Sequence, residues 1–156
     1  MGHTTFDFNT GVNDPNAASP HSFDLTNGGF STFPVGLEQG AFSIIPAGGS
    51  TWSTAEDLAR YLITQMNHGI TLDGARIISE ERLLDTWNPE ILTPNNTHYA
   101  LGWLVKPAYH GLRQIEYGGA NLGYTSFVTF LPEANLGVVV LTNRVAGDDF
   151  TAAMTQ

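Results

Sequence analysis

The segment Ile115-Glu116-Tyr117-Gly118-Gly119-Ala120-Asn121-Leu122-Gly123-Tyr124-Thr125-Ser126-Phe127-Val128-Thr129-Phe130-Leu131-Pro132 decides how the rest of the chain reads. One β-rich run enters a glycine-dense bend and a second leaves it, which predicts two strands joined through the stretch that holds Gly118, Gly119 and Gly123. Adjacent glycines remove side chains where a backbone can approach a ligand closely, while β-formers on both sides hold that backbone rigid. Such a place suits a site built from main-chain N–H groups.

Working outward, the pattern on the C-terminal side stays β. Strands are expected at Tyr99 to Val105, Leu112 to Glu116, Tyr124 to Leu131 and Gly137 to Thr142, and their short connections favour an antiparallel meander. Val138-Val139-Val140-Leu141 is apolar at every position, which predicts a central strand covered on both faces. Asp148 is placed to cap a last helix through Ala152, Ala153 and Met154.

Before Tyr99 the pattern is helical. Ser53-Thr54-Ala55-Glu56 reads as a capping box. Ala55, Leu58, Ala59, Leu62 and Met66 follow as one apolar stripe, a core face, and Gly69 supplies a left-handed stop. After the turn Leu72-Asp73-Gly74 a second helix is expected from Ser79 to Trp87, ahead of Pro89. Its Glu80 and Glu81 sit at the positive helix end, and as neighbours they do not face each other as an acid/base pair would. Residues 1 to 39 are rich in Asn, Asp, Ser, Thr, Gly and Pro. Phe6, Phe8, Phe23, Phe30 and Phe33 stand singly among them, so a loop pinned by aromatic contacts is expected. The chain thus divides into a loop-rich part (1–45), a helical part (46–98) and an antiparallel sheet with the start of a terminal helix (99–156). Its class is α+β.

The 156 residues have the size of one domain. Fifteen acidic against six basic residues give a net charge of −9, which repels nucleic acid and anionic membrane surfaces. No apolar run approaches the roughly 20 residues that span a bilayer, and the N-terminus lacks the basic and apolar regions of a signal peptide. With no cysteine, disulfides and thiolate metal sites are excluded. The five histidines never fall at the i, i+4 spacing of a helical zinc pair, so no metal is expected. Phosphate-loop and dinucleotide fingerprints find no match, no cofactor is expected, and Gly-x-Ser-x-Gly is missing.

Tyr117-Gly118-Gly119-Ala120, then Gly123-Tyr124, a strand, the turn Pro132-Glu133-Ala134-Asn135-Leu136-Gly137 and the strand Val138 to Asn143 together resemble the third motif region of the serine β-lactamase superfamily. The branch resembled includes class C β-lactamases, D-alanyl-D-alanine carboxypeptidases and related esterases. Pro46-Ala47-Gly48-Gly49, Trp52-Ser53-Thr54-Ala55-Glu56-Asp57-Leu58-Ala59-Arg60 and Tyr99-Ala100-Leu101-Gly102-Trp103 fall in the family's order. Met1-Gly2-His3-Thr4-Thr5-Phe6 resembles the segment that follows the family's first two catalytic motifs, so the chain is expected to begin in mid-domain.

The resemblance implies a serine hydrolase that cleaves an ester, amide, peptide or lactam through an acyl-enzyme. It assigns Tyr117 and Ala120 to the catalytic set, with the Ala120 N–H in the oxyanion hole and Tyr117 where the motif carries Lys or His. It assigns Gly118, Gly119 and Asn121 to substrate binding. The nucleophile's Ser-x-x-Lys motif cannot be present, because the one lysine is Lys106 and Trp103 stands three residues before it. No Tyr or Ser is followed at the second position by Asn, so the second motif is missing too. The expected reading is the C-terminal portion of such an enzyme, inactive alone and prone to self-association through an uncovered sheet surface. A non-catalytic binding domain and a truncated reading frame are the alternatives. Family members occur inside and outside the cell membrane, and the residues fix no compartment.

Overall fold

The computed structural model describes residues 1–35 and 49–144. The expected terminal helix at Asp148 and the stretch Pro46-Ala47-Gly48 lie outside them. In chain order the elements are α1 (Phe8–Val12), β1 (His21–Asp24), β2 (Gly29–Thr32), α2 (Ala55–Met66), α3 (Glu80–Asp85), β3 (Ile91–Leu92), β4 (His98–Tyr99), β5 (Leu104–Tyr109), β6 (Leu112–Asn121), β7 (Tyr124–Leu131), a 3-10 turn (Pro132–Ala134) and β8 (Leu136–Thr142). β1 and β2 form a hairpin, and β3 to β8 form one sheet in sequence order, the expected meander. The architecture is α+β. Two compact units divide the chain: Ala55–Tyr117 with Val128–Val139, and the described parts of Gly2–Thr54 with Gly118–Phe127 and the residues from Val140 on.

In the first unit the core is aromatic. Phe130 meets Trp87 and Trp103 edge-on, with centroids 5.2 Å away in each case. Leu62 of α2, Leu83 of α3, Val105 of β5 and Ile115 of β6 close around them. The Trp87 indole N–H, sealed from water, donates to Gln65 Oε1 at 3.1 Å, so its burial leaves no orphan donor.

Local chemistry explains the helix ends. Ser79 caps α3 by accepting from the Arg82 N–H, as its position foretold, and the helix stops at Asp85, leaving Trp87 to the core. α2 ends in a Schellman motif: His68 N–H donates to Gln65 O and Gly69 N–H to Thr64 O. His68 itself takes the left-handed conformation (φ 52°) and Gly69 follows at φ 86°, where a Cβ would lie 2.4 Å from Ile78 O. The expected Ser53 capping box is not what starts this helix. α2 begins at Ala55, the Ser53 hydroxyl bonds the Thr4 hydroxyl at 2.8 Å, and Glu56 pairs with Arg60. Of the expected stripe, Leu62 is buried, Leu58 and Met66 are half-buried, and Ala55 and Ala59 face out.

The strands correct three expectations. The run from Tyr99 is broken, because Ala100 N–H bonds Trp103 O across a tight turn at Gly102 (φ 86°), and β5 starts only at Leu104. Gly118 and Gly119 form no bend: neither has a positive φ, and β6 runs through them to Asn121. Val138 to Leu141 is no central strand, since β8 ends the sheet order and Val138 and Leu141 are exposed. An all-apolar run fixes β structure but not which neighbours it acquires, because strand pairing is non-local.

β5 and β6 are joined by His110 and Gly111, both at positive φ, which matches the right-handed twist of a two-residue hairpin. The ladder is irregular between Lys106 and Tyr109, where Pro107 has no N–H to contribute. In the second unit the loop-rich reading was too plain. Asp7 caps α1, and β1–β2 pairs Phe23 with Phe30, whose rings meet at 5.6 Å. Both rings remain exposed, as does Phe6, while Phe8 packs edge-on against Trp52.

Lys106 Nζ lies 2.9 Å from Glu116 Oε1 across the β5–β6 ladder, and Gln114 Nε2 donates to the other carboxylate oxygen at 2.7 Å. The Glu116 side chain is 7% exposed and that of Lys106 23%. Removing one partner leaves the other charge buried alone, so Lys106→Met is expected to cost roughly 3 kcal/mol, the low end for such pairs. Lys106→Met combined with Glu116→Leu should recover most of that loss. Urea unfolding of the single and double variants measures both, and additive effects would show that the two groups are not coupled.

Candidate active-site strand

β5 and β6 pair as Lys106 with Gln114, Val105 with Ile115 and Leu104 with Glu116, and there β5 begins. β6 continues for five more residues, Tyr117 to Asn121, and among the described residues its strand partner there is β7. Leu122 and Gly123 make the turn to β7, with Gly123 at φ 78°. In a two-residue hairpin the flanking residues, here Asn121 and Tyr124, bond each other. Alternation then turns the main-chain groups of Tyr117, Gly119 and Asn121 toward β7, and those of Gly118 and Ala120 toward the side where no β5 residue stands.

All five candidate residues lie on this stretch. Tyr117 is 44% exposed, Gly118, Gly119 and Ala120 are exposed, and Asn121 is half-buried. The two glycines serve close packing rather than turning. A Cβ on Gly119 would lie 2.9 Å from Ser126 Oγ, and one on Gly118 would lie 3.5 Å from the Phe127 ring. Asn121 spends its amide on the backbone: Oδ1 accepts from Leu122 N–H at 2.7 Å, and Nδ2 donates to Gly49 O at 3.3 Å. It therefore fixes the end of the strand, a role its spacing from the glycines did not reveal.

The cations are all engaged elsewhere. Arg60 pairs with Glu56, Arg82 with Asp85, Arg113 with Glu133 and Lys106 with Glu116. Arg76 donates to the His68 and Ile78 carbonyls, and the Arg144 guanidinium lies 4.7 Å over Phe30. These are all six Lys and Arg of the chain. For Glu133 burial raises the carboxyl pKa, but the hydrogen bonds from Arg113 outweigh it and hold the group below its usual range. Among the described residues no three His, Asp or Glu are grouped to hold a metal ion, and no helix is long and apolar enough to cross a membrane.

The family model for β-lactamase matches residues 2–156, so the chain belongs to the β-lactamase family. Its fold is similar to that of the octameric penicillin-binding protein homologue from Pyrococcus abyssi (TM-score 0.76, 24% identity, covering 93% of this chain and 31% of that one). A penicillin-binding protein from Bacillus halodurans gives a TM-score of 0.65 at 22% identity, covering 91% of this chain and 40% of that one. For the D-stereospecific amidohydrolase from a Streptomyces species the TM-score is 0.69 at 18% identity, covering 99% of this chain and 43% of that one. The chain thus spans less than half the length of each of these relatives. No curated protein matches it in sequence.

Asn121→Ala deletes both bonds that hold the β6 end. Each is worth about 1 kcal/mol, and the loss should be local. The expected result is faster hydrogen exchange at the Leu122 amide with little change at the core amide of Ile115. Unchanged exchange at Leu122 would show that the turn holds itself.

Proposed function

We propose that this chain is the C-terminal portion of a β-lactamase-related serine hydrolase and that β6 forms the wall along which an acyl substrate lies. The observation that supports this reading is that, among the described residues, β6 past Glu116 has no strand partner on the β5 side, while β7 lies on the other. An extended substrate placed there gains main-chain hydrogen bonds in the manner of an added strand. The Ala120 N–H, on the open side, is a donor for a carbonyl oxygen that becomes negative when a serine attacks it. In that step the serine oxygen bonds to the acyl carbon, the alcohol or amine leaves with a proton, and water later releases the acid.

Gly118 and Gly119 let substrate and β7 approach the strand closely, and Asn121 sets its end. Tyr117 is neutral and donates a hydrogen bond without a fixed positive charge, which favours uncharged esters and amides over carboxylate-bearing lactams. The nucleophile is not among these residues, since the only lysine is paired with Glu116 and no Ser precedes it by three. Among the described residues β8 ends the sheet; it carries no charge and no proline, and on this reading it is the surface through which the chain self-associates.

The chain by itself should not turn over p-nitrophenyl esters or chromogenic lactams. Turnover that survives repurification, together with labelling by a fluorophosphonate, would overturn the assignment. In an enzyme that joins this chain to a Ser-x-x-Lys segment, Ala120→Pro removes the donor and should lower kcat by roughly 10²–10³, the loss typical of one oxyanion donor. Tyr117→Phe should act less, mainly on substrate choice. A folded Ala120→Pro enzyme, checked by circular dichroism, with near-normal kcat would make the strand a structural element only.

A further inference from the structure

The hairpin of β1 and β2 turns through Leu25, Thr26, Asn27 and Gly28, and Asp24 gathers the hydrogen bonds of that loop. Asp24 Oδ1 accepts from the Thr26 N–H at 2.8 Å and from the Asn27 N–H at 3.4 Å. Its other carboxylate oxygen accepts from Asn27 Nδ2 at 2.5 Å, and its main-chain oxygen accepts from the Gly28 N–H at 2.9 Å. The side-chain bonds, the one from the Thr26 N–H first, hold the Asp24 carboxyl below its usual range, so it is an anion at neutral pH.

Asn27 is the only asparagine of the chain followed by glycine. Both residues are exposed, Gly28 lies at φ 67°, and no Cβ shields the Gly28 nitrogen from the neighbouring side chain. That nitrogen, once deprotonated, can attack Asn27 Cγ. The N–Cγ bond forms, the Cγ–Nδ2 bond breaks, and ammonia leaves carrying the proton, which gives a cyclic succinimide. Water then opens the ring at either carbonyl and leaves aspartate or isoaspartate. In the closed turn both reacting groups are tied to Asp24, the nucleophile to its carbonyl and the leaving group to its carboxylate, so the reaction waits on a local opening. Afterwards the turn cannot close as before. Where Nδ2 donated, a second carboxylate would face that of Asp24, and like charges that close repel.

We propose that Asn27-Gly28 is a site of spontaneous deamidation and that its conversion irreversibly releases the turn of the β1–β2 hairpin. The other end of the hairpin stays anchored, since His21 Nδ1 lies 3.0 Å from Asn143 O and the Arg144 guanidinium lies 4.7 Å over Phe30. The release is therefore local.

To test the site, the full chain is aged at neutral pH and its peptides are followed by mass spectrometry. Asn27 should convert before every other asparagine, and faster in Asp24→Ala, which frees the leaving group. Conversion at Asn27 no faster than at the other asparagines overturns the site. The consequence is read separately by hydrogen exchange. Asn27→Asp, which is the aspartate product, should speed exchange at the Thr26 and Gly28 amides about tenfold or more, the scale of one lost charge-assisted hydrogen bond, and leave the Ile115 amide unchanged. Adding Asp24→Asn puts an amide donor opposite the new carboxylate and should restore most of the protection. Unchanged exchange in Asn27→Asp, or no recovery in the double variant, overturns the release.

Discussion

The last rung of the β5–β6 ladder, Leu104 opposite Glu116, sets where the open edge begins. It lies there for a packing reason. Trp103, the residue before Leu104, is 6% exposed, stacked at 6.2 Å on Tyr61 of α2 and edge-on to Phe130 of β7. The turn from Ala100 to Trp103 delivers that indole into the core, and a strand cannot extend backwards through a turn. The aromatic core therefore ends β5, and among the described residues no strand pairs with β6 on that side past this rung. Lys106 and Glu116 lock the two strands beside the same rung, so a slip of register would unseat the buried carboxylate as well as the indole.

How much of this could be read in the sequence depended on the range of the physics involved. Ser79 and the loop ahead of Leu112 act through neighbours a few residues away, and the helix start and the strand order followed from such signals. The bend expected around Gly118 and Gly119 falls at Leu122-Gly123 instead, because a glycine kept for close approach and a glycine kept for positive φ look alike in a sequence. The distinguishing atom, Ser126 Oγ, belongs to the opposite strand. Leu122-Gly123 was the better turn signal, two residues between β-formers. The hairpin at Asp24 to Gly29 was also open to view: Asn27-Gly28-Gly29 is turn chemistry, and the Asp24 carboxylate accepts from the Thr26 and Asn27 N–H groups.

Other features were hidden because they depend on distant partners. Ser53 fits a capping box locally, yet Thr4, forty-nine positions earlier, takes its hydroxyl. An open crevice of about 150 Å³ beside Trp52 is lined by residues from Val12 to Tyr124, and no window of sequence contains it. The candidate strand was legible as a segment and not as a geometry. Tyr117 to Asn121 could be named, but where their pairing with β5 ends follows from where β5 stops.

On the proposed reading of β6 as a substrate wall, the charge inventory narrows what the strand would recognise. A substrate carboxylate needs a cation to replace its lost hydration. Six cationic side chains are present, and each already serves a carboxylate, a carbonyl or a ring. With a net charge of −9 the chain's field also opposes anions as they approach. What β6 offers instead is main-chain N–H groups and the phenol of Tyr117. Those groups discriminate by hydrogen-bond position and by shape. If β6 is that wall, carbonyl compounds with uncharged flanks fit its chemistry, and a carboxylate-bearing lactam would need a cation that these residues do not leave free.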